Sequence, residues 1–262
     1  MKLTIIIINL FLFGFLSGQE SYIIEYNHTF KKDSLSEKNN TEKYFFINSD
    51  NGRYFLSESD FHLLENEKDL EKEYKGDGTI KGSNKNIKPP RLKSLLIDEQ
   101  GKVTFFRNYF NKIKVKYDDS ILLNWELTND TITHNGYLCN IATTVYSGRK
   151  YTAYFTIDVL LPYGPYVFNG LPGLITFISD TDRNHIFELT KLSKENFNYM
   201  TNNFKTISKT DFKNMEFDYK TDPVRLLLPE SNIINSEEQQ EIKRKLKEKI
   251  KNDNNPIELK DE

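Results

Sequence analysis

LLPYGPYVFNGLPGLI, Leu160 to Ile175, is the stretch on which the fold turns. Six of the twelve residues from Pro162 to Gly173 are Gly or Pro, in a chain that holds only 12 Gly and 8 Pro. Proline fixes φ and removes a donor, while glycine opens the left-handed region, so such a cluster dictates backbone shape rather than chemistry. Leu171-Pro172-Gly173-Leu174 reads as a type II turn, Pro second and Gly third, which puts Gly173 at positive φ and leads into a strand from Leu174 to Ile178. Gly170 to Leu174 are therefore expected to be structural. The ring-rich piece before them, Tyr163, Tyr166, Phe168 and Asn169, would either rim a binding site on a rigid loop or pack under that loop and close one end of a sheet.

Working outward, Tyr151, Ala153, Phe155, Ile157 and Val159 alternate with Thr152, Tyr154, Thr156 and Asp158, a period of two that specifies a half-buried strand. Tyr137 to Val145 precedes it, with the odd positions apolar, entered through His134-Asn135-Gly136 and left through Ser147-Gly148. Ile121, Leu123, Trp125 and Leu127 share one face, and Ile132 breaks that parity, which demands a turn or bulge within Thr128 to Thr131. On the far side of the Gly/Pro stretch, Leu174 to Ile178 and Ile186 to Leu192 read as a hairpin.

Farther out, Tyr22 to Phe30 is a strand whose apolar face carries His28 as a structural histidine, and Asn51-Gly52 joins Tyr44–Asn48 to Arg53–Leu56 in a hairpin. Leu92 to Ile97, Val103 to Arg107 and Ile113 to Tyr117 continue the strands, the last with outward lysines that suit a sheet edge. Short helices are expected within Ser59 to Tyr74 and after Ser193, and a longer one from the capping box Ser236-Glu237-Glu238-Gln239 to about Lys251. The expected fold is mainly β (α+β): a strongly curved antiparallel sheet or half-barrel of eight to ten strands, with short helices on one side and a C-terminal helix. It divides into residues 1–18 as a signal peptide, 19–205 as a single β-rich domain, and 206–262 as a loop, a peripheral helix and a disordered tail from Asn252 onward.

Lys2, the apolar block Leu3 to Leu16 and the small exit Ser17-Gly18 have the layout of a secretory signal peptide, too short for a comfortable membrane span. An uncleaved N-terminal anchor is the alternative. The expected location is extracytoplasmic, periplasmic or secreted, with no stable membrane anchor after cleavage. A net charge of -2 supplies no field for nucleic acid, so a phosphate-backbone binder is disfavoured. Cys139 is the single cysteine, which excludes an internal disulfide.

Three motifs occur in order at compact spacing: WELTNDTITHNGYLCNIATT from Trp125, GRKYTAYFT from Gly148, and PYGPYVFNGLPGLI from Pro162. Together they resemble the GLPGLI family of Bacteroidetes-type secreted proteins, sharply over about 55 residues. The resemblance implies a signal peptide, an extracytoplasmic place and a β-rich fold, and it carries over no catalytic residues. Where the family commonly shows Ala-Trp-Phe this chain has Ala153-Tyr154-Phe155, which keeps an aromatic ring.

Chemistry has few candidates. Cys139 and His134 would lie diagonally on one face if Asn135-Gly136 is a two-residue turn, close to the reach of a thiolate–imidazole pair. Against that, a thiol among Tyr137, Ile141 and Val145 is expected to act as a small core hydrophobe. His28, His62, His134 and His185 lack the short spacings of a metal site, so no metal and no cofactor are expected. The expected function is a non-enzymatic binding or carrier module for an apolar ligand or an outer-membrane or cell-envelope protein. The alternative is a thiol hydrolase or redox protein using Cys139 and His134.

Overall fold

The computed structural model describes residues 21–49, 52–62, 91–97, 102–109, 113–195, 204–221, 252–259 and five positions between 240 and 248. The expected signal segment, residues 63–74 of the expected helical stretch and residues 196–203 after Ser193 lie outside the described residues. Twelve strands form one sheet: β1 (Tyr22–Lys31), β2 (Asn39–Ser49), β3 (Gly52–Ser57), β4 (Ser94–Ile97), β5 (Val103–Tyr109), β6 (Ile113–Asp119), β7 (Glu126–His134), β8 (Tyr137–Tyr146), β9 (Arg149–Thr156), β10 (Leu174–Asp180), β11 (His185–Lys194) and β12 (Lys205–Thr206). Their order is β12-β6-β5-β4-β3-β2-β1-β11-β10-β9-β8-β7, so β1 sits mid-sheet between its sequence neighbour β2 and the distant β11. Every pairing is antiparallel except that of β12 with β6. The sheet is mainly β as expected, with twelve strands rather than eight to ten, and it does not close into a barrel.

The curl is set by what fills it. The Tyr166 ring meets Phe105 of β5 at 6.1 Å and Tyr146 of β8 at 6.4 Å, strands that stand eight places apart in the sheet order. A flat sheet would separate those strands by about 38 Å at the usual inter-strand spacing. The sheet therefore wraps around the loop between β9 and β10, and the buried residues of ten strands join Tyr166, Val167, Phe168 and Leu171 in one core. A second, smaller cluster lies on the outer face, where Ile23, Phe45, Ile47, Tyr54 and Leu56 are covered by Phe61. Phe61 belongs to α1, of which residues 58–62 are described, and its ring stacks on Phe45 at 4.2 Å. Coverage on both faces explains why Tyr44 to Asn48 are all buried instead of alternating. The second helix, α2 (Lys209–Thr221), is capped by Ser208 and presses Phe212 onto Tyr117 of β6 at 4.5 Å.

Several turns form as the residues dictate. His134 pairs with Tyr137, and Asn135 (φ 50) with Gly136 (φ 82) makes the two-residue turn; Ser147 (φ 46) and Gly148 (φ 80) do the same between β8 and β9. The parity break falls between Leu127 and Thr131, where four residues of β7 span two of β8. Ile121, Leu123 and Trp125 pack against the core while Leu122 is exposed, but they precede β7 and pair with no strand.

Other expectations are corrected. In β8 the buried positions beyond Cys139 are Ala142, Thr144 and Tyr146, whereas Val145 is exposed, so the inward face is the even one. The large Tyr146 ring against Tyr166 and Phe168 wins over the count of apolar odd residues. Ser193 does not open a helix; it continues β11 opposite Ile23. Gly173 has no positive φ and no type II turn closes there; the Leu174 N–H donates to Val159 O at 3.2 Å instead of to Leu171. Glycine is required for space, because a Cβ at 173 would lie 2.0 Å from the main-chain oxygen of Thr156. The left-handed residues of the segment are Tyr166, at φ 54, and Gly170, at φ 90.

The tail is the largest correction. Described positions of the expected C-terminal helix are helical and exposed, with its apolar stripe outside the described residues. Residues 252–259, expected to be disordered, form an irregular segment, bent at Ile257 and bound to the sheet, with Asn255 and Ile257 buried.

Candidate functional site

The loop residues singled out in the sequence are drawn together, and most of them face inward. Tyr166 and Phe168 are fully buried; Tyr163 is half-buried, stacked on Phe46 at 5.1 Å with Arg53 over its ring. Asn169 closes the loop by donating from Nδ2 to Val167 O, while its own carbonyl accepts from Trp125 Nε1 at 2.9 Å. Leu171 and Leu174 are core residues, Pro172 is exposed, and Gly170 N donates to Pro162 O at 3.3 Å. Tyr166 adopts φ 54, a conformation that costs a bulky residue about 1–3 kcal/mol and persists only where the surroundings hold it. Here they do: the turn is closed by Phe168 N to Pro165 O, and the ring is locked between strands.

The Cys139 and His134 side chains do not pair. The thiol is fully buried, bonded to Thr176 Oγ1 at 3.3 Å and Tyr137 O at 3.6 Å. Burial pushes the thiol pKa up, and the bond to Thr176 only partly opposes that. The His134 ring instead lies against Phe177 and Tyr154, with Nε2 3.5 Å from Glu188. A protonated, enclosed thiol without an imidazole beside it is no nucleophile.

The polar convergence of the molecule lies elsewhere, at one rim of the curl, and its ligand is residues 253–258. Arg149, at the start of β9, is oriented by a buried ion pair to Asp180 at 3.0 Å. Its remaining donors reach Asn255 Oδ1 at 2.5 Å and Pro256 O at 2.7 Å. Arg91, just before β4, donates to Asn255 O at 2.5 Å and pairs with Asp253. Burial draws the Arg91 pKa down to about 10, which leaves it charged at neutral pH. Asn255 is further tied to β1: its N–H donates to Lys32 O at 3.1 Å and its Nδ2 to Lys31 O at 3.0 Å. Glu258 accepts from Tyr166 at 2.5 Å, Tyr146 at 3.1 Å and Lys93 at 2.8 Å. Burial alone would raise the pKa of this half-buried carboxylate, but Lys93 and the two hydroxyls outweigh it and hold it below the usual range.

Two histidines complete the rim. His28 and His185 are fully buried on neighbouring strands, with Nε2 of the first 3.1 Å from Nδ1 of the second. His185 Nε2 lies 3.2 Å from Asn255 O, which can only accept. The proton of neutral His185 is therefore on Nε2, its Nδ1 must accept, and His28 must donate from its own Nε2. Burial, reinforced by Arg149 and Arg91, lowers the His185 pKa to about 3, and burial and His185 likewise lower that of His28, so both rings are neutral. Sequence reasoning kept His28 as structural and found no partner for it, since His185 is 157 positions away. Asn255 and Glu258 were missed altogether. Among the described residues no group of three or more His, Cys, Asp or Glu is arranged to hold a metal ion, and no helix there is long and apolar enough to cross a membrane.

No family model and no curated protein matches the chain. Among solved structures, two described as "Structure of PNGF-II", in the P21 and C2 space groups, are similar at TM-scores of 0.54 and 0.51 and 18% identity. Each match covers 77% of this chain, which spans about a third of the length of those chains, 34% and 33%. At that identity the likeness shows a shared fold and nothing more.

Proposed function

We propose that the chain is an extracytoplasmic, non-enzymatic binding module, and that it grips a polypeptide segment of a cell-envelope partner at the rim of its curled sheet. One observation carries the reading: Arg91, Arg149 and His185, from three separate parts of the sheet, all donate to the main-chain carbonyls of Asn255 and Pro256. Main-chain carbonyls are common to every polypeptide, and donors fixed on a rigid scaffold make a peptide site of them. An apolar ligand within the curl is less favoured, because Tyr166, Phe168 and Leu171 already fill that space. A thiol enzyme built on Cys139 and His134 has no paired side chains to work with. The three motifs that resemble the GLPGLI family, together with the N-terminal signal layout, support the extracytoplasmic place.

The test is photo-crosslinking of the mature protein with peptides bearing a diazirine, followed by mapping of the adducts. Adducts at residues 91–93 and 146–149 are expected. Adducts confined to the outer face, or none, would refute the reading.

A further inference from the structure

We infer that residues 253–258 are the module's resident ligand and that the rim selects an Asn-Pro-aliphatic-acidic sequence, so that a partner peptide enters by displacing the chain's own tail. This rests on the peptide-binding reading above and adds to it a sequence preference and an intramolecular competitor.

The preference follows from atom-by-atom use of the tail. Every polar group of Asn255 is engaged: Oδ1 by Arg149, Nδ2 by Lys31 O, N–H by Lys32 O, and the carbonyl by Arg91 and His185. Aspartate there would turn an acceptor toward Lys31 O, where only a donor fits. Pro256 brings a carbonyl for Arg149 and no N–H that would need a partner inside the rim. Ile257 is buried in the main core cluster. Glu258 takes two tyrosine hydroxyls and an ammonium, a set that only an ionised carboxylate satisfies in full.

Charge fixes the class of the incoming partner. The sheet body matches Arg149 with its own Asp180 and sets Glu42 of β2 beside Arg91, while the carboxylates in ion pairs with Arg91 and Lys93 come from the tail, Asp253 and Glu258. A replacement occupant must therefore bring acids at the same two ends, two residues before the Asn and two after the Pro. Arg149 stays in position without the tail, because Asp180 holds it, and the His185 ring stays stacked on His28. The occupant is thus an acidic segment of a partner polypeptide.

The test uses the full chain carrying Asn255→Ala and Glu258→Gln, and as probe the synthetic peptide of residues 251–262. Calorimetry should show the probe binding the doubly substituted chain at least about tenfold tighter than the unaltered chain, the size expected for losing hydrogen bonds to charged groups. A peptide with the same two substitutions should bind at least about tenfold more weakly than the original. Equal affinity of both chains for the probe would overturn the tail as competitor. Equal affinity for both peptides would overturn the sequence preference while leaving the peptide-binding reading standing, and binding of no peptide to either chain would sink both. Should the doubly substituted chain fail to fold, a chain with Leu259→Cys, a position 51% exposed, can carry an environment-sensitive dye while the enclosed Cys139 stays unlabelled. Excess probe should then shift the dye signal and the substituted peptide should not; no shift with excess probe would overturn the inference.

Discussion

Replacing Gly173 by Ala tests how the Gly/Pro segment is held. The added Cβ would stand 2.0 Å from Thr156 O and 2.7 Å from Thr156 C, both main-chain atoms that cannot rotate away. Cβ contacts below 3.0 Å are essentially never seen, so the start of β10 must withdraw from the end of β9 by about 1 Å. That movement breaks the bond from Leu174 N to Val159 O and strains the Leu174–Thr156 pairing. Two hydrogen bonds at roughly 1 kcal/mol each, with loosened packing of Leu171 and Leu174, bring the cost to about 3 kcal/mol. Gly170→Ala is the control: nothing lies within 4 Å of its Cβ, and only the positive φ opposes it, at about 1–2 kcal/mol. Urea unfolding followed by tyrosine fluorescence measures both. Were Gly173→Ala to unfold at the same urea concentration as the parent, or Gly170→Ala to be the worse of the two, the close approach of β9 and β10 would not be what glycine serves.

Three further outcomes are expected. Arg149→Met strands the buried Asp180 carboxylate and should cost about 3–5 kcal/mol in urea unfolding, with part of the loss recovered by adding Asp180→Asn. His185 binds fewer protons folded than unfolded between pH 6.5 and about 3, and His28, also held well below the usual histidine range, does so from pH 6.5 downward, so stability should fall as pH drops below 6.5, by up to about 1.4 kcal/mol per pH unit for each ring. Glu258, held below the usual carboxylate range, adds a loss of the same sign only at lower pH, so His28→Phe should roughly halve the slope measured between pH 6.5 and 5. Cys139 should resist alkylation at neutral pH until the protein is denatured; rapid labelling of the native chain would show that the thiol is not enclosed by Thr176 and its neighbours.

What could be read in advance divides by the range of the interaction. The turns at Asn135-Gly136 and Ser147-Gly148, and the bulge before Thr131, are decided by residues adjacent in sequence, and they form where the residues say. The inward face of β8 was misjudged because a count of apolar positions weighs Val145 as heavily as Tyr146, although only the tyrosine finds Tyr166 and Phe168 across the curl. Gly173 was assigned to a positive φ because Leu-Pro-Gly-Leu fits that turn locally; the decisive neighbour, Thr156, lies on another strand. The rim was illegible for a stronger version of the same reason. Asn255-Pro256-Ile257-Glu258 has one aliphatic residue and no periodicity, and its partners come from positions 31, 91, 149 and 185. Order that comes from polar contacts to distant residues leaves no trace in the local pattern.

The position of β1 has a consequence for how the chain reaches this state. Its partner β2 is at hand as soon as residue 49 exists, but its other edge waits for β11, more than 130 residues later. Until then a nascent half-sheet presents an open, aromatic-rich edge to its surroundings, the kind of template on which chains aggregate. Folding should therefore be slow and sensitive to concentration, with a holdase needed while the second half is made.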